Sequence, residues 1–263
     1  MISSNELLAY LALKYQGDYG LMMEAIKQKE RIDELAVKEV LSSIRYQYLT
    51  IVDAEYPAVL QTIYQPPLVL FYYGNLSLLK EIDKVVAVVG SRKPSSYGLA
   101  MTRMIVTDLV KAGYTIVSGL AYGIDGEAHQ AAMDQAGSTI AILGSGIDHC
   151  YPKEHLPLHK KIKDNHLLIS EYPGLVPPNS ANFPQRNRIV AGLSKGIIVT
   201  EASERSGTLI TVSYALMQGK EVFCVPHVAT SKSSCNRLIK EGAYLVENAQ
   251  DILDVLEPIL SSN

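Results

Sequence analysis

Tryptophan is missing from all 263 residues, and phenylalanine occurs only three times. Cysteine is equally sparse: Cys150, Cys224 and Cys235 form no Cys-x-x-Cys pair and no zinc set, so a reducing, cytoplasmic setting is expected. No apolar stretch approaches the ~18 residues of a membrane span. The N-terminus shows no basic, signal-like region, so export is not expected either. Catalytic signatures are also absent. The six histidines show no His-Glu-x-x-His spacing, and no serine occupies a Gly-x-Ser-x-Gly elbow. There is no Gly-x-Gly-x-x-Gly, no Gly-x-x-x-x-Gly-Lys-Ser/Thr, and no acid ending the second strand to hold a ribose. These gaps disfavour dinucleotide and ordinary ATPase chemistry, and neither cofactor nor metal is expected.

What is present is a globular composition, 48% apolar and 19% charged, with no internal repeat or low-complexity tract. The net charge of −3 hides a split. Residues 84–240 carry 17 Lys and Arg against 11 Asp and Glu, whereas the flanks are acidic by 16 to 7. Such asymmetry points to a polyanion surface on the middle of the chain.

Five short apolar runs in that middle stop in polar turns: Val85–Val89, Thr115–Val117, Thr139–Leu143, Leu167–Ile169 and Ile197–Val199. Their turns are Gly90-Ser91-Arg92, Ser118-Gly119, Gly144-Ser145-Gly146, Ser170-Glu171 and Thr200-Glu201, the last leading to Ser206-Gly207-Thr208. Helical stretches are predicted near 98–112, 125–136, 154–164, 186–193, 208–218 and 236–241. This alternation predicts an α/β fold with a doubly wound, mostly parallel sheet. The turns would line its carboxyl edge, where backbone N–H groups, hydroxyls and arginines suit an anion. Residues 1–47 read as a small helical region, 48–247 as the α/β unit and 248–263 as a closing helix. That helix, expected over 251–260, either packs on its own sheet or offers a protein-interaction face.

Phe183-Pro184-Gln185-Arg186-Asn187-Arg188 places two arginines where a helix should begin, and there the dipole gives cations no help. They bind an anion or pair with acids such as Glu171 and Glu201. Phe183 is either a core plug or a stacking platform for a base. Ser206-Gly207-Thr208 is either a plain helix cap or a phosphate seat, and Arg92 and Arg205 should converge on the same edge. Lys153, after a strand-end turn, is favoured as a phosphate contact. The run Lys160-Lys161-x-Lys163 reads as a solvated helix face. Asp125 and His129 read as helix cap and buried histidine, with a catalytic pair as the alternative.

Several of these segments resemble the DNA-processing protein A (Smf) family. They are Val88-Val89-Gly90-Ser91-Arg92, Ser118-Gly119-Leu120-Ala121-x-Gly123-Ile124-Asp125, Tyr151-Pro152, Ser170-Glu171-Tyr172-Pro173, Phe183-Pro184-x-Arg186-Asn187-Arg188 and Ser206-Gly207-Thr208-Leu209. The resemblance runs from about Thr50 to Val246. It implies a Rossmann-like domain that binds single-stranded DNA, helps load the RecA recombinase in natural transformation, forms homodimers and is not an enzyme. Carried over by motif, it implies Arg92 and Lys153 as DNA-contacting candidates, joined by Arg186, Arg188, Ser206, Gly207 and Thr208; Ser91, Ser118, Gly119, Phe183 and Asn187 complete the expected DNA- and phosphate-binding set. His227 and Ser234 stand where the family commonly has glycine. The competing reading is a Rossmann-type nucleotide hydrolase of the lysine-decarboxylase-like group, whose Pro-Gly-Gly-x-Gly-Thr pattern this chain lacks.

Overall fold

The computed structural model describes residues 2–204 and 206–257. Three helices open it: α1 (Ser4–Lys14), α2 (Tyr19–Lys27) and α3 (Glu34–Ser43). A strand–helix–strand segment follows, with β1 (Gln47–Thr50), α4 (Ala58–Gln61) and β2 (Val69–Gly74). Strands and helices then alternate through β3 (Val85–Val89), α5 (Ser96–Lys111), β4 (Thr115–Ser118), α6 (Ile124–Asp134), β5 (Thr139–Leu143), α7 (Leu156–Asn165) and β6 (Leu167–Ser170). The second half runs α8 (Asn182–Gly192), β7 (Gly196–Val199), α9 (Gly207–Met217), β8 (Glu221–Cys224), α10 (Cys235–Lys240), β9 (Tyr244–Leu245) and α11 (Ala249–Leu256).

One sheet holds these strands in the order β1-β2-β6-β5-β4-β3-β7-β8-β9. From β6 to β9 every pairing is parallel, while β2 and β1 add an antiparallel margin. The chain winds outward from β3 to β6, and α8 then carries it back past β3 to β7. The strand order therefore reverses between β3 and β7, the kind of crevice where open α/β sheets bind ligands.

Side-chain alternation decides which helices cover which face. Val85, Ala87 and Val89 join one core with α8, α9 and α10, through residues such as Ile189, Val212 and Leu238. Val86 and Val88 point the other way, into a core with α5, α6 and α11. Further along that second face, Phe71, Ala141 and Leu168 meet Leu8, Leu11, Met22 and Ile162. Because both faces of β3 to β7 are covered, these strands read as continuous apolar runs.

Two of the element ends that differ from expectation concern the site and the closing helix. Helix α8 begins at Asn182, so Phe183 and Pro184 belong to its first turn, where proline is tolerated. The closing helix runs Ala249–Leu256 and packs Ala249, Ile252 and Leu256 onto the α5 side of the sheet. Ile259 and Leu260, expected within it, lie outside the described residues.

Candidate nucleic-acid interface

At the reversal point, the ends of β3, β4 and β7 surround a cavity of about 780 Å³. Gly90, Ser91 and Arg92 form one wall, Ser206, Gly207 and Thr208 a second, and Phe183, Arg186 and Asn187 a third. Gly119 and Asp125 form the floor. The β3 turn is set by backbone: the Ser91 N–H donates to the Glu201 carbonyl at 2.7 Å, and the Ile124 N–H donates to the Ser91 carbonyl at 3.1 Å. Glu201 spends its carboxylate on the Ser95 N–H and hydroxyl, fastening the start of α5.

Arg186 is a firmly held cation of the cavity. Only 4% exposed, it donates through Nη1 to the carbonyls of Gly119 (2.6 Å) and Ile142, and through Nε to Asn187 Oδ1 at 3.1 Å. Its Nη2 has no hydrogen-bond partner among the described residues. Burial lowers its pKa to about 10, with the Asp125 carboxylate pulling upward and Arg92 adding to the depression. It therefore stays a cation at neutral pH. Asp125 accepts from the N–H groups of Gly119 (3.2 Å) and Ala121 (3.4 Å). Burial pushes its carboxyl up, opposed by Arg186, those two amides and Arg92. A single electrostatic neighbourhood thus joins Arg92, Asp125 and Arg186. Leu120, fully buried at φ 57°, gives the loop between Gly119 and Ala121 its sharp bend.

At the mouth, the exposed Arg92 guanidinium lies 5.5 Å from the Phe183 ring centroid. Tyr151 flanks the same ring at 5.4 Å, tilted by 40°. Phe183 is therefore a partly exposed platform between a cation and a second aromatic, and not a core plug. Lys153 follows Tyr151 and Pro152 at the start of a 3₁₀ turn and is exposed beside this mouth without lining the cavity.

Several expected contacts are corrected. Ser118 is fully buried and its hydroxyl donates to the Val88 carbonyl at 2.6 Å, stitching β4 to β3. Arg188 is also fully buried: Nη2 and Nη1 grip Glu171 at 2.6 and 3.0 Å, and Nε reaches the Gln65 carbonyl. It is a structural cation on the far side of α8. The Thr208 hydroxyl is committed to the Gly90 carbonyl at 3.0 Å. Ser206 sits at the N-cap of α9 without making the capping bond, and its buried hydroxyl has no partner among the described residues. What Gly207 and Thr208 offer is first-turn backbone N–H, the usual anion donor of a helix start. Gly123, at φ 76°, caps α6, so Asp125 is not its cap. His129 bonds Thr139 Oγ1 at 2.7 Å, with no bond to Asp125. Arg205 lies outside the described residues. Among the described residues no group of acids, histidines and cysteines suits a metal, and no helix is long and apolar enough to cross a membrane.

Sequence reading missed Asp125 and Tyr151 as parts of the site. An acid placed after a strand-end glycine turn amid clustered arginines was the available signal for the first. The Tyr-Pro pair before Lys153 was the signal for the second.

Fold and site together define a doubly wound α/β module with an arginine-lined, aromatic-edged cavity at the reversal of strand order. The profile of the DNA recombination-mediator protein A family matches residues 47–257, and the chain belongs to that family. The DNA processing protein DprA of Bacillus subtilis (strain 168) is 38% identical over 241 residues, covering 89% of this chain and 81% of its own. Among solved structures, DNA processing protein A from Streptococcus pneumoniae superposes with a TM-score of 0.80 at 38% identity, covering 95% of this chain and 92% of its own. Its counterpart from Helicobacter pylori, described by its single-stranded DNA binding mode, gives 0.72 at 30% identity, covering 81% and 96%.

Proposed function

We propose that this chain is a DNA-processing, recombination-mediating protein that holds single-stranded DNA at the β3–β7 crevice without turning it over. The observation that carries this reading is the assembly at one rim of exposed Arg92, buried Arg186, the Gly207 and Thr208 amides at the start of α9 and the Phe183–Tyr151 platform. Cations and helix-start amides take phosphates, and a sequence-tolerant ring takes a base. The strand is then passed to the RecA recombinase, by a homodimer working in the cytoplasm during natural transformation. The similarity to DprA relatives supports this part of the reading.

Gel-shift with an oligothymidylate tests it. Arg92→Glu and Lys153→Glu each abolish most binding while leaving the circular dichroism spectrum unchanged. Full binding by both variants removes this rim from consideration. Affinity should also fall steeply with salt, since phosphate contacts release counterions. The nucleotide-hydrolase alternative loses its candidate acid, because the Glu201 carboxylate is committed to Ser95. Release of free base from nucleoside monophosphates would revive it.

A further inference from the structure

We propose that the bound strand leaves the cavity along the outer face of α7, a path built from Lys153, Leu156, Lys160 and Lys163. This rests on the reading that the cavity holds single-stranded DNA. The helix starts directly behind the aromatic mouth, since Tyr151 and Pro152 lead into Lys153 and then Leu156. It turns His159 and Ile162 inward, both buried, with Ile162 in the core of the neighbouring sheet face. Helical geometry therefore sends Lys160 outward, one turn beyond Leu156, with Lys163 on the adjoining flank. The span is about 15 Å for ten residues, enough to engage nucleotides beyond those inside the cavity.

Three features separate this face from an ordinary solvated one. Among the described residues, none of Lys153, Lys160, Lys161 and Lys163 lies within salt-bridge distance of a carboxylate. Apolar surface is interleaved with the cations: Leu156 is 59% exposed between Lys153 and Lys160, and Lys163 Nζ sits 3.6 Å from the Tyr73 ring centroid. The nearby acids are partly committed, Glu154 to the Tyr122 hydroxyl and Asp148 to the Tyr73 hydroxyl, while Asp164, exposed at the far end, has no partner among the described residues. Lys161 lies toward α6, where it acts on Asp134, and stands off the path. Alternating cations and apolar patches fit a sugar–phosphate chain with exposed bases.

The test compares oligothymidylates of about six and about sixteen nucleotides, the first filling the cavity and the second reaching α7. Lys160→Gln/Lys163→Gln should bind the short probe as wild type does. For the long probe it should bind roughly ten- to thirty-fold more weakly near 0.1 M salt, with the slope of log affinity against log salt reduced by about 1.4. Lys27→Gln/Lys29→Gln, on and just after α2, removes the same charge from exposed positions elsewhere and should leave both probes unaffected. Wild-type affinity and slope for the long probe in the α7 variant overturn the path, as does an equal loss in the control variant. Failure of the wild-type protein to bind either probe overturns the cavity reading instead.

Discussion

Single residues at the floor of the site carry consequences larger than their size. Gly119 has no room for a methyl group, since a Cβ there would stand 2.4 Å from Nη2 of Arg186. That guanidinium is already fixed by two carbonyls, so Gly119→Ala must push the cavity's best-held cation out of place. A loss of about 1–3 kcal/mol is expected, as for other overpacked positions, together with weaker oligonucleotide binding. Urea unfolding and a binding titration on one sample check both, and an unchanged midpoint would mean that Arg186 has space to yield. His129 makes a separate prediction, about pH. Fully buried, it has its pKa lowered to about 3, chiefly by burial, with His155 and Arg186 adding repulsion. Its unfolded value is about 6.5. Between the two, the unfolded chain binds the extra proton, so stability is full above the unfolded value and drains as pH falls. The slope of about 1.4 kcal/mol per unit gives a loss near 2 kcal/mol from neutrality to about pH 5. His129→Gln should remove most of that dependence, and an identical pH profile in the variant would contradict it.

At the scale of an element, α8 shows how a helix assigns opposite duties to neighbours of one kind. Arg186 and Arg188 are two positions apart, so they leave the helix about 200° apart. One faces the cavity, while the other enters the ion pair with Glu171. Breaking that pair from one side strands a buried charge, so Arg188→Met alone should cost about 3–5 kcal/mol. Arg188→Met/Glu171→Leu, which removes both charges, should recover most of the stability and keep wild-type DNA affinity. Loss of binding in a stable double variant would return Arg188 to the interface. The sequence left Arg188 open between anion contact and ion pair because charge is visible in a motif and direction is not. Reading Phe183-Pro184 as a run-in also placed the helix start at Arg186, four residues late. Proline is a breaker in a helix interior, but here it falls in the first turn, where its missing N–H has no partner to lose. Ser118 was misassigned for a related reason. A hydroxyl at a strand end looks equivalent whether it faces solvent or the next strand.

Across the whole molecule, the central strands were legible because burial on both faces leaves nothing but β-branched and aliphatic residues between polar turns. Gathering Gly90, Gly119 and Gly207 at one rim then followed from parallel winding alone. The relation of the first helices to the sheet was not legible, because amphipathic helices of this length reveal an apolar face without its partner. In the structure that partner is the sheet itself: Leu8, Leu11, Ala12, Met22 and Ala25 share one core with Phe71, Ala141 and Leu168. The turn between α1 and α2 also seats on the strand-end segment behind the site. Gly17, at φ 79°, lies so close that a Cβ would stand 2.5 Å from the Glu171 carbonyl oxygen. Glu171 holds Arg188, and Arg188 holds the helix that presents Arg186. Removing residues 1–45 should therefore act twice. Baring the sheet face that those five side chains cover, with Phe71, Ala141 and Leu168 on it, should cost several kcal/mol, at about 1.5–3 kcal/mol for each large apolar side chain exposed and with transfer values as an upper bound. Freeing the Glu171 segment should loosen α8 and weaken DNA binding even at temperatures where the shortened chain stays folded. Thermal melts and titrations of the shortened chain beside the full one distinguish these effects. A wild-type melting temperature would make the helices an independent appendage, and a lowered one with unchanged affinity would confine their role to covering the sheet.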